Sequence, residues 1–378
     1  MSHSKYSWLI LSLLAMLLLP YSRAFAQRFT VSGFVTDQTS GEVLIGASVH
    51  LANGLRATST NAFGFYSITL PVGEVELTYS YVGYKTQTLT FKLQESISQN
   101  VGLDPVIELD EVIVTASRID RQLETSQMST VQLRMGVVSK LPSMLGEVDL
   151  NKVMQLYPGV SAGSEGSAGL YVRGGSPDQN LILLDGVPVY NPTHAFGFIS
   201  VFNPDAISNA QVYKGAFPAR YGGRLSSVVD ITMKEGSSKE FITQGTISPL
   251  ASRISFQGPI VEDRTSFIIT GRRSFLDLIT RPVSRSVSKR QGDEDNYNVM
   301  GYHFHDLNVK ANHRFSQRSR LFLGFYSGKD RISVRTYSKV DTRSSSHHNL
   351  MDWGNATGAL RWNYTLNDKL FSNVTLTY

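Results

Sequence analysis

Apolar and polar residues alternate along most of the chain, and the first such region covers residues 28 to 103. The alternation comes in short runs separated by turn-forming segments such as DQTSGE, NAFG and PVG. A period of two with frequent turn residues predicts short β-strands rather than helices. Seven such runs predict a small antiparallel β-sandwich over residues 27–104.

The period becomes helical in the segment GEVDLNKVMQLYPGV. Its apolar residues recur every three or four positions, so they share one face of a helix. Pro158-Gly159 is expected to end that helix. The residues on the apolar face are Leu150, Val153, Met154 and Tyr157.

Short strand-like runs and many glycines follow this helix. Asp185-Gly186 separates two of the runs and predicts a tight hairpin, because both residues tolerate the positive φ of such a turn. Asn203, a favourable N-cap, precedes Pro204 and predicts the start of a second helix. The mixture of short helices and strands predicts an α+β domain over residues 137–236.

From about Glu240 the period of two returns and is kept to the last residue. Strands of about ten residues, apolar on one face and polar on the other, predict the first part of an antiparallel transmembrane β-barrel over residues 237–378. We expect six strands, near residues 241–257, 264–276, 302–315, 319–333, 355–366 and 369–378. In NATGALRWNYTL one face would carry Ala356, Gly358, Leu360, Trp362, Tyr364 and Leu366, and the other Asn355, Thr357, Ala359, Arg361, Asn363 and Thr365.

Two polar segments of this region, TRPVSRSVSKRQGDEDNYNVMG and RTYSKVDTRSSSHHNLMDWGN, are expected to be long extracellular loops. A soluble sandwich also alternates, because one face of each sheet packs on a core, but the strand lengths and the polar segments favour a barrel. Six strands cannot enclose a domain within a barrel. The sequence therefore predicts the N-terminal part of a longer barrel protein.

The first 26 residues have the pattern of a cleaved export signal. His3 and Lys5 precede an apolar run from Trp8 to Leu19, which is shorter than the roughly 20 residues of a membrane-spanning helix. Ala24-Phe25-Ala26 fits the small-x-small rule of signal peptidase, so the mature chain would begin at Gln27. The protein is expected to be exported.

Charge and composition exclude several classes of protein and partner. The chain carries a net charge of +5 and has no cysteine, which excludes disulfide scaffolds, zinc ribbons and thiol enzymes. From Lys239 onward, 20 Lys and Arg stand against 12 Asp and Glu. In an exported protein this excess is expected to meet phosphates of lipopolysaccharide or an anionic solute rather than nucleic acid, since no nucleic-acid motif accompanies it.

The sequence shows no constellation of catalytic residues. None of the eight histidines is followed by Glu three positions later, so the His-x-x-Glu zinc pair of a carboxypeptidase is missing. His303 and His305 share the side of a predicted strand with Leu307 and Val309, which places them on the lipid side and not in a metal site. We expect no enzyme activity, no metal site and no cofactor.

The motifs of the first domain are VSGFVTD, LIGASV, TSTNAFGFYSI and YSYVGYKT. Together they resemble the carboxypeptidase-regulatory-like, or transthyretin-like, domain over residues 27–104. Because the zinc ligands are missing, this resemblance implies a spacer or docking module rather than part of an enzyme.

The motifs YVRGG, LLDGVPVY and VYKGAFPARYGGRLSSVVDI then follow in that order. They resemble the plug domain of TonB-dependent outer-membrane receptors across residues 137–236. Its glycines are expected at positions of positive φ or close packing. Arg173 and Arg224 would either form charge locks against the barrel wall, which we favour because a buried arginine needs a partner, or be solvated. The plug motif residues are Arg173, Gly174, Gly175, Asp185, Gly186, Lys214, Gly215, Tyr221, Gly222, Gly223 and Arg224.

A linker over residues 105–136 contains the segment LDEVIVTA at residues 109–116. Its β-branched run between polar flanks favours a strand with free edges, which suits β-augmentation by a partner protein. An ordinary interdomain strand resting on the sandwich is the alternative. The segment resembles a TonB box, and the residues that would bind TonB are Asp110, Glu111, Val112, Ile113, Val114, Thr115 and Ala116.

These resemblances imply an outer-membrane receptor of a Gram-negative bacterium, in which TonB, with ExbB and ExbD, pulls on the TonB box and the plug opens for a solute. A surface adhesion or scaffold protein without transport is the alternative. Regulatory-like domains before the plug occur in Bacteroidetes-type receptors, including SusC-like glycan importers. The segment VYKGAFPARYGG lacks the insertion usual in the SusC-like pattern, which argues against a glycan substrate and a SusD-like lipoprotein lid. The sequence does not name the solute.

Overall fold

The computed structural model of the chain describes residues 27–52, 54, 56–106, 130–138, 146–164, 166–291, 295–340 and 342–378. Most of these residues lie in β-strands, so the predicted mainly β class is confirmed. Among them, no helix is both long enough and apolar enough to cross a membrane.

Residues 28–103 form two packed sheets of short strands. The strands are β1 (Arg28–Asp37), β2 (Ser48–Leu51), β3 (Ala57–Ser59), β4 (Phe65–Pro71), β5 (Gly73–Ser80), β6 (Gln87–Leu93), β7 (Ile97–Ser98) and β8 (Val101–Leu103). One sheet joins β1 to β4, β7 and β8, and the other has the order β3-β2-β5-β6. The predicted sandwich is present, with eight strands where the sequence indicated seven.

An apolar core fills the space between the two sheets of the sandwich. Val31, Leu70 and Leu77 in this core have no exposed surface. Two buried tyrosines satisfy their polar ends inside it: the Tyr66 hydroxyl donates to the carbonyl of Gln99 and shares a hydrogen bond of 2.9 Å with the Tyr79 hydroxyl. The sandwich therefore has a closed core of its own.

Residues 130–233 form a second domain around a five-stranded sheet. The elements are β9 (Thr130–Arg134), α1 (Met135–Val138), α2 (Leu150–Gln155), β10 (Val160–Ser161), β11 (Tyr171–Val172), β12 (Asn180–Leu184), β13 (Val187–Pro188), β14 (Thr193–His194), β15 (Ile199–Ser200), β16 (Ile207–Tyr213) and β17 (Ser227–Met233), with short 3₁₀ helices at Pro177–Gln179 and Ala195–Gly197. The sheet order is β13-β12-β17-β16-β9, and only β12 and β17 run parallel.

Helix α2 is the helix that the apolar spacing predicts. One carboxylate oxygen of Asp149 caps its start by accepting the backbone N–H groups of Asn151 and Lys152. The other oxygen accepts the N–H of Ser200 in β15, at 2.7 Å. The apolar face of α2 is buried in the core of this domain.

Two turn predictions have opposite outcomes. Asp185 and Gly186, at φ 50° and 86°, form the predicted hairpin between β12 and β13, since the turn needs positive φ at both central residues. The prediction of a helix that starts at Asn203 is wrong. The side-chain oxygen of Asn203 accepts the N–H of Asp205, and this makes a local turn that leads directly into β16.

Residues 242–377 form an antiparallel sheet of seven strands, each paired with the next in sequence. The elements are β18 (Ile242–Ile247), β19 (Ala251–Val261), β20 (Thr265–Ser274), α3 (Leu276–Gln291), β21 (Tyr297–Ser316), β22 (Ser319–Val340), β23 (Arg343–Asn367) and β24 (Leu370–Thr377). Two or three residues connect β19 to β20, β21 to β22 and β23 to β24, and we call this edge the short-turn end. The opposite edge, the long end, carries α3 and the tip of the β22–β23 hairpin.

Two details of the large sheet correct the sequence interpretation. The predicted strand at 241–257 is two strands, because the Ser248 hydroxyl accepts the N–H groups of Leu250 and Ala251 and turns the chain. The two polar segments are not loops. The first contains α3, and the second continues β22 and β23, whose backbones pair with each other out to the hairpin tip.

Candidate functional site

The large sheet turns one face toward the second domain. In β23, Thr357, Ala359 and Asn363 are buried while Leu360 and Trp362 are exposed, so the predicted alternation is confirmed. On β20, β21 and β22 the inward residues include many buried polar and charged side chains beside the apolar Ile268, Phe304 and Phe322. We use the term charged interface for the groups that meet there: Asp185, His194, Arg272, Asp306, Lys310 and Asp330.

Asp185 connects the hairpin of the five-stranded sheet to two strands of the large sheet. Its carboxylate lies 2.9 Å from Nζ of Lys310 in β21 and accepts the backbone N–H of Met233. Its own backbone carbonyl accepts a hydrogen bond of 2.7 Å from Arg361 in β23. Lys310 in turn donates to the carbonyl of Met233 at 2.9 Å. The buried carboxylate and the buried ammonium therefore satisfy each other.

His194 is the centre of the other half of the charged interface. Its Nε2 lies 2.8 Å from Oδ1 of Asp306 and its Nδ1 lies 2.7 Å from Oδ2 of Asp330. The imidazole ring stacks on Phe304 with centroids 4.4 Å apart. Arg272 donates from Nε to Asp306 at 2.7 Å. Both ring nitrogens thus face a carboxylate, as the imidazolium form requires.

The charges of this cluster balance when His194 is protonated. Asp306 and Asp330 then offset Arg272 and the imidazolium, and all four residues are at most 3% exposed. Burial alone disfavours the charged ring, but the facing carboxylates outweigh it and raise the pKa of His194 above its ordinary value. The structure therefore favours a positive His194 inside a neutral cluster.

Backbone and hydroxyl groups complete the hydrogen bonds of the two carboxylates. Asp330 also accepts the N–H of Ala195 at 3.1 Å and the hydroxyl of Tyr302. Asp306 accepts the Tyr326 hydroxyl at 3.1 Å. Gly328 makes room for this contact, because a Cβ there would overlap the Tyr326 hydroxyl.

Three of the predicted plug motif residues form the turn after β11. Arg173 and Gly174 have positive φ, at 50° and 84°, and Arg173 is exposed. A Cβ on Gly175 would overlap the side chain of Ser226, whose hydroxyl donates to the carbonyl of Val172. The YVRGG and GRLSS segments are therefore packed together.

The middle motif residues lie beyond the end of β16. Lys214 is buried and donates from Nζ to the carbonyl of Pro158 at 2.7 Å, and Gly215 has a φ of 93°. Tyr221 donates to Asp230 at 2.7 Å and accepts from Arg220. Burial and the Asp230 carboxylate raise the pKa of Tyr221.

The last motif residues differ from the expectation. Gly223 has a positive φ of 81°. Open space surrounds Gly222, so neither positive φ nor close packing explains a glycine at that position. Arg224 is half-buried, donates to the carbonyl of Gly223 and forms no ion pair with any residue that the structure describes. The charge lock favoured for Arg173 and Arg224, with solvation as its alternative, stays a prediction. In the ion pair of Lys310 with Asp185, the cation is a residue of the large sheet, and its long side chain extends to the carboxylate of the second domain.

The predicted TonB-binding residues, 110–116, and the predicted signal, 1–26, lie outside the described residues.

The sequence did not identify three members of the charged interface: His194, Arg272 and Asp330. Alternation in HFHDLNVKAN did place Asp306 and Lys310 on the polar face of a strand. Their partners lie 112 and 125 residues away along the chain, and no local pattern carries that information.

Comparison with protein families agrees with this architecture. A CarboxypepD_reg-like domain matches residues 31–114, and a TonB-dependent Receptor Plug Domain matches residues 121–229. The chain thus combines a regulatory-like domain with a plug domain. More narrowly, the plug is that of TonB-dependent receptors, and the resemblance found in the motifs is confirmed.

Two curated relatives support the same assignment. TonB-dependent receptor SusC of Bacteroides thetaiotaomicron is 28% identical over 64% of this chain and 24% of its own length. TonB-dependent receptor P26 of Formosa agariphila is 30% identical over 57% of this chain and 22% of its own length. The siderophore receptor PirA of Acinetobacter baumannii, a solved structure, covers 70% of this chain and 49% of its own, with 17% identity and a TM-score of 0.38. The chain spans about a quarter of the length of the curated relatives it matches.

Proposed function

We propose that the chain is part of an outer-membrane receptor for TonB-dependent active import of a solute, in which a pull on the TonB box opens the plug. The observation that carries this proposal is a plug domain seated by buried ionisable groups on the polar face of a long-stranded sheet. Buried ion pairs are poor sources of stability but fix one arrangement of their partners. Such an interface suits a plug that must seal reliably and still be released.

The opposite face of the large sheet supports a position in the membrane. Its outward side chains include exposed Leu307, Phe325 and Leu360, and apolar outward faces are what lipid requires of a barrel strand. Short turns occur on the periplasmic side of such proteins. We therefore place the short-turn end in the periplasm and the long end outside the cell.

The position of β9 supports the proposed route of the pull. This strand is the first described element after the predicted TonB box, and it pairs with β16 at the edge of the plug sheet through five residue pairs. Asp185 lies at the other side of the sheet, beyond β12. A force on the linker therefore acts first on the edge strand, and the charged interface is released later.

The proposed partners are TonB with ExbB and ExbD in the periplasm, outer-membrane lipid and lipopolysaccharide, and an unidentified solute. The relative named SusC keeps a SusD-like lipoprotein among the partners to be tested. No catalytic role is proposed, since the matched relatives are receptors and transporters.

The proposal is tested by Val114→Pro in the full-length receptor. Proline removes a backbone donor, so TonB binding and energised uptake should be lost while the protein still reaches the outer membrane. Ser126→Pro, in the polar tract after the TonB box, is the matched control and should keep uptake. If the Val114→Pro receptor still imports its solute, the TonB proposal fails and an adhesion or scaffold role takes its place.

A further inference from the structure

A cavity of about 160 Å³ lies between the sandwich and the short-turn end of the large sheet. The sandwich contributes Phe34, Val43 and Phe63 to its wall, and the sheet contributes residues near the ends of β21, β22, β23 and β24. All the residues of the charged interface lie outside this wall. The cavity is therefore a separate site with walls from two domains, and we call it the sandwich cavity.

Part of the wall of the sandwich cavity is aromatic. Phe63 stacks on Phe371 of β24, and Phe34 and the buried Phe322 also line the space. Aromatic side chains pack favourably against a further ring in offset or edge-to-face geometry. An apolar cavity of about 150 Å³ is large enough to hold benzene. The sandwich cavity therefore has room for one six-membered ring.

The charged residues of this wall leave an excess of one positive charge. Arg320 is neutralised by the carboxylate of Glu235, which lies 2.9 Å from it. The other charged residues of the wall are three cations and two acids: Lys239, Arg314, Arg318, Asp37 and Asp263. The carboxylate of Asp37 is already occupied, since it accepts two backbone N–H groups and the hydroxyl of Tyr84. A monoanion would therefore balance the charge of the wall.

Arg314 is half-buried in this wall and lacks a partner. Its guanidinium forms no hydrogen bond or ion pair with any residue that the structure describes, and its cross-strand neighbour is Arg320, another cation. On β23, two strands away, Thr365 is buried, and its hydroxyl is likewise without a partner in the described part of the chain. Polar groups removed from water without a partner are costly. An oxyanion in the cavity would satisfy both groups.

We propose that the sandwich cavity binds a small aromatic carboxylate. The ring packs among the phenylalanine side chains, and the carboxylate accepts two parallel N–H groups of Arg314, because the planar guanidinium matches a carboxylate in bidentate geometry. Both domains supply the wall, so only the docked sandwich offers the complete site, and the bound anion stabilises the docked arrangement. The site goes beyond the proposed transport; only the compartment that supplies the anion, the periplasm, rests on the proposed orientation.

The experiment titrates benzoate into the full-length receptor purified in detergent and measures binding by ligand-detected NMR. Arg314→Gln should weaken binding at least about tenfold, since a charge-assisted hydrogen bond contributes about that factor to affinity. The matched control, Arg335→Gln, removes an exposed arginine of β22 toward the long end and should bind as the wild type does. Acetate and benzyl alcohol should each bind the wild type at least about tenfold more weakly than benzoate, because each lacks one half of the ligand.

Thermal unfolding of the ligand-free receptor separates this role from a structural one. Since the Arg314 guanidinium has no partner among the described residues, Arg314→Gln should leave the melting temperature unchanged. Three results overturn the inference: a lower melting temperature of that variant, equal affinity of the variant and the wild type for benzoate, or equal affinity of the wild type for benzoate and either fragment. A receptor that imports its solute but fails these arms loses only the sandwich cavity as a binding site, whereas loss of uptake by the wild type counts against the proposed function.

Discussion

The regulatory-like sandwich and the plug contact the same large sheet through different interactions. The plug places Asp185 and His194 in buried ionic contacts. The sandwich uses hydrogen bonds and ring contacts: the Ser67 hydroxyl donates to the carbonyl of Asp368 at 2.8 Å, and Phe63 stacks on Phe371 with centroids 5.3 Å apart. A domain with a closed apolar core keeps its structure when it is separated, whereas buried charges depend on their partners.

The largest expected difference is in autonomous folding. A fragment of residues 27–106 should unfold in one sharp thermal transition, because its core is complete. A fragment of residues 130–236 should not, since its charged residues lose Lys310 and Asp306 and its core loses Tyr326 of β22. Circular dichroism melting and amide dispersion in NMR spectra measure the difference. An equally sharp transition for the plug fragment would contradict this comparison.

Asp185→Ala should destabilise the full-length receptor by about 3–5 kcal/mol, because it leaves the Lys310 ammonium buried without a carboxylate. Denaturant unfolding in detergent micelles gives the change in free energy. Asp178→Ala, which removes an exposed carboxylate of the same domain, is the control and should have little effect.

The same kind of substitution in the sandwich sharpens the comparison. Glu42 accepts the N–H groups of Glu235 and Gly236 at 2.6 and 2.9 Å, and burial raises its pKa. Glu42→Ala should lower the free energy of unfolding by about 1–2 kcal/mol, less than Asp185→Ala, because it leaves two neutral donors without an acceptor and no buried charge without a partner. A loss as large as that of Asp185→Ala would remove the distinction between the two interfaces.

The smallest expected effect is a pH dependence that His194 gives to the plug interface. The raised pKa of His194 means that its contribution is complete below about pH 6.5 and is lost as the pH rises through the folded-state value. Stability should therefore fall on the alkaline side by about 1.4 kcal/mol for each unit by which the pKa is raised. The ionisable groups that act on the ring are Asp306, Asp330 and Arg272, and the hydroxyls of Tyr302 and Tyr326 donate to the two carboxylates.

Unfolding measured from pH 5.5 to 8.5 tests this dependence. His194→Gln should flatten the profile, while His347→Gln, an exposed histidine of β23, should leave it unchanged. A profile that keeps its slope in His194→Gln would assign the dependence to another group.

Local patterns in the sequence determine more of the strands than of the interface. The type of hairpin at Asp185-Gly186 and the buried face of NATGALRWNYTL depend on near neighbours and on a period of two, so both could be predicted. Asn203 shows the limit: an N-cap residue also makes a local turn, and the surrounding fold decides which. His194 had no recognisable signal, because its role depends on strands more than 100 residues later.

The strands of the large sheet differ in length, so the hairpin of β22 and β23 extends beyond the other strands at the long end. From Lys329 to the hairpin tip, β22 continues for roughly 35 Å at the usual rise of a strand, and residues 343–352 of β23 are all exposed. Two strands that satisfy each other's backbone groups can stand in water without further cover. In the proposed orientation, this hairpin extends beyond the membrane surface on the outer side.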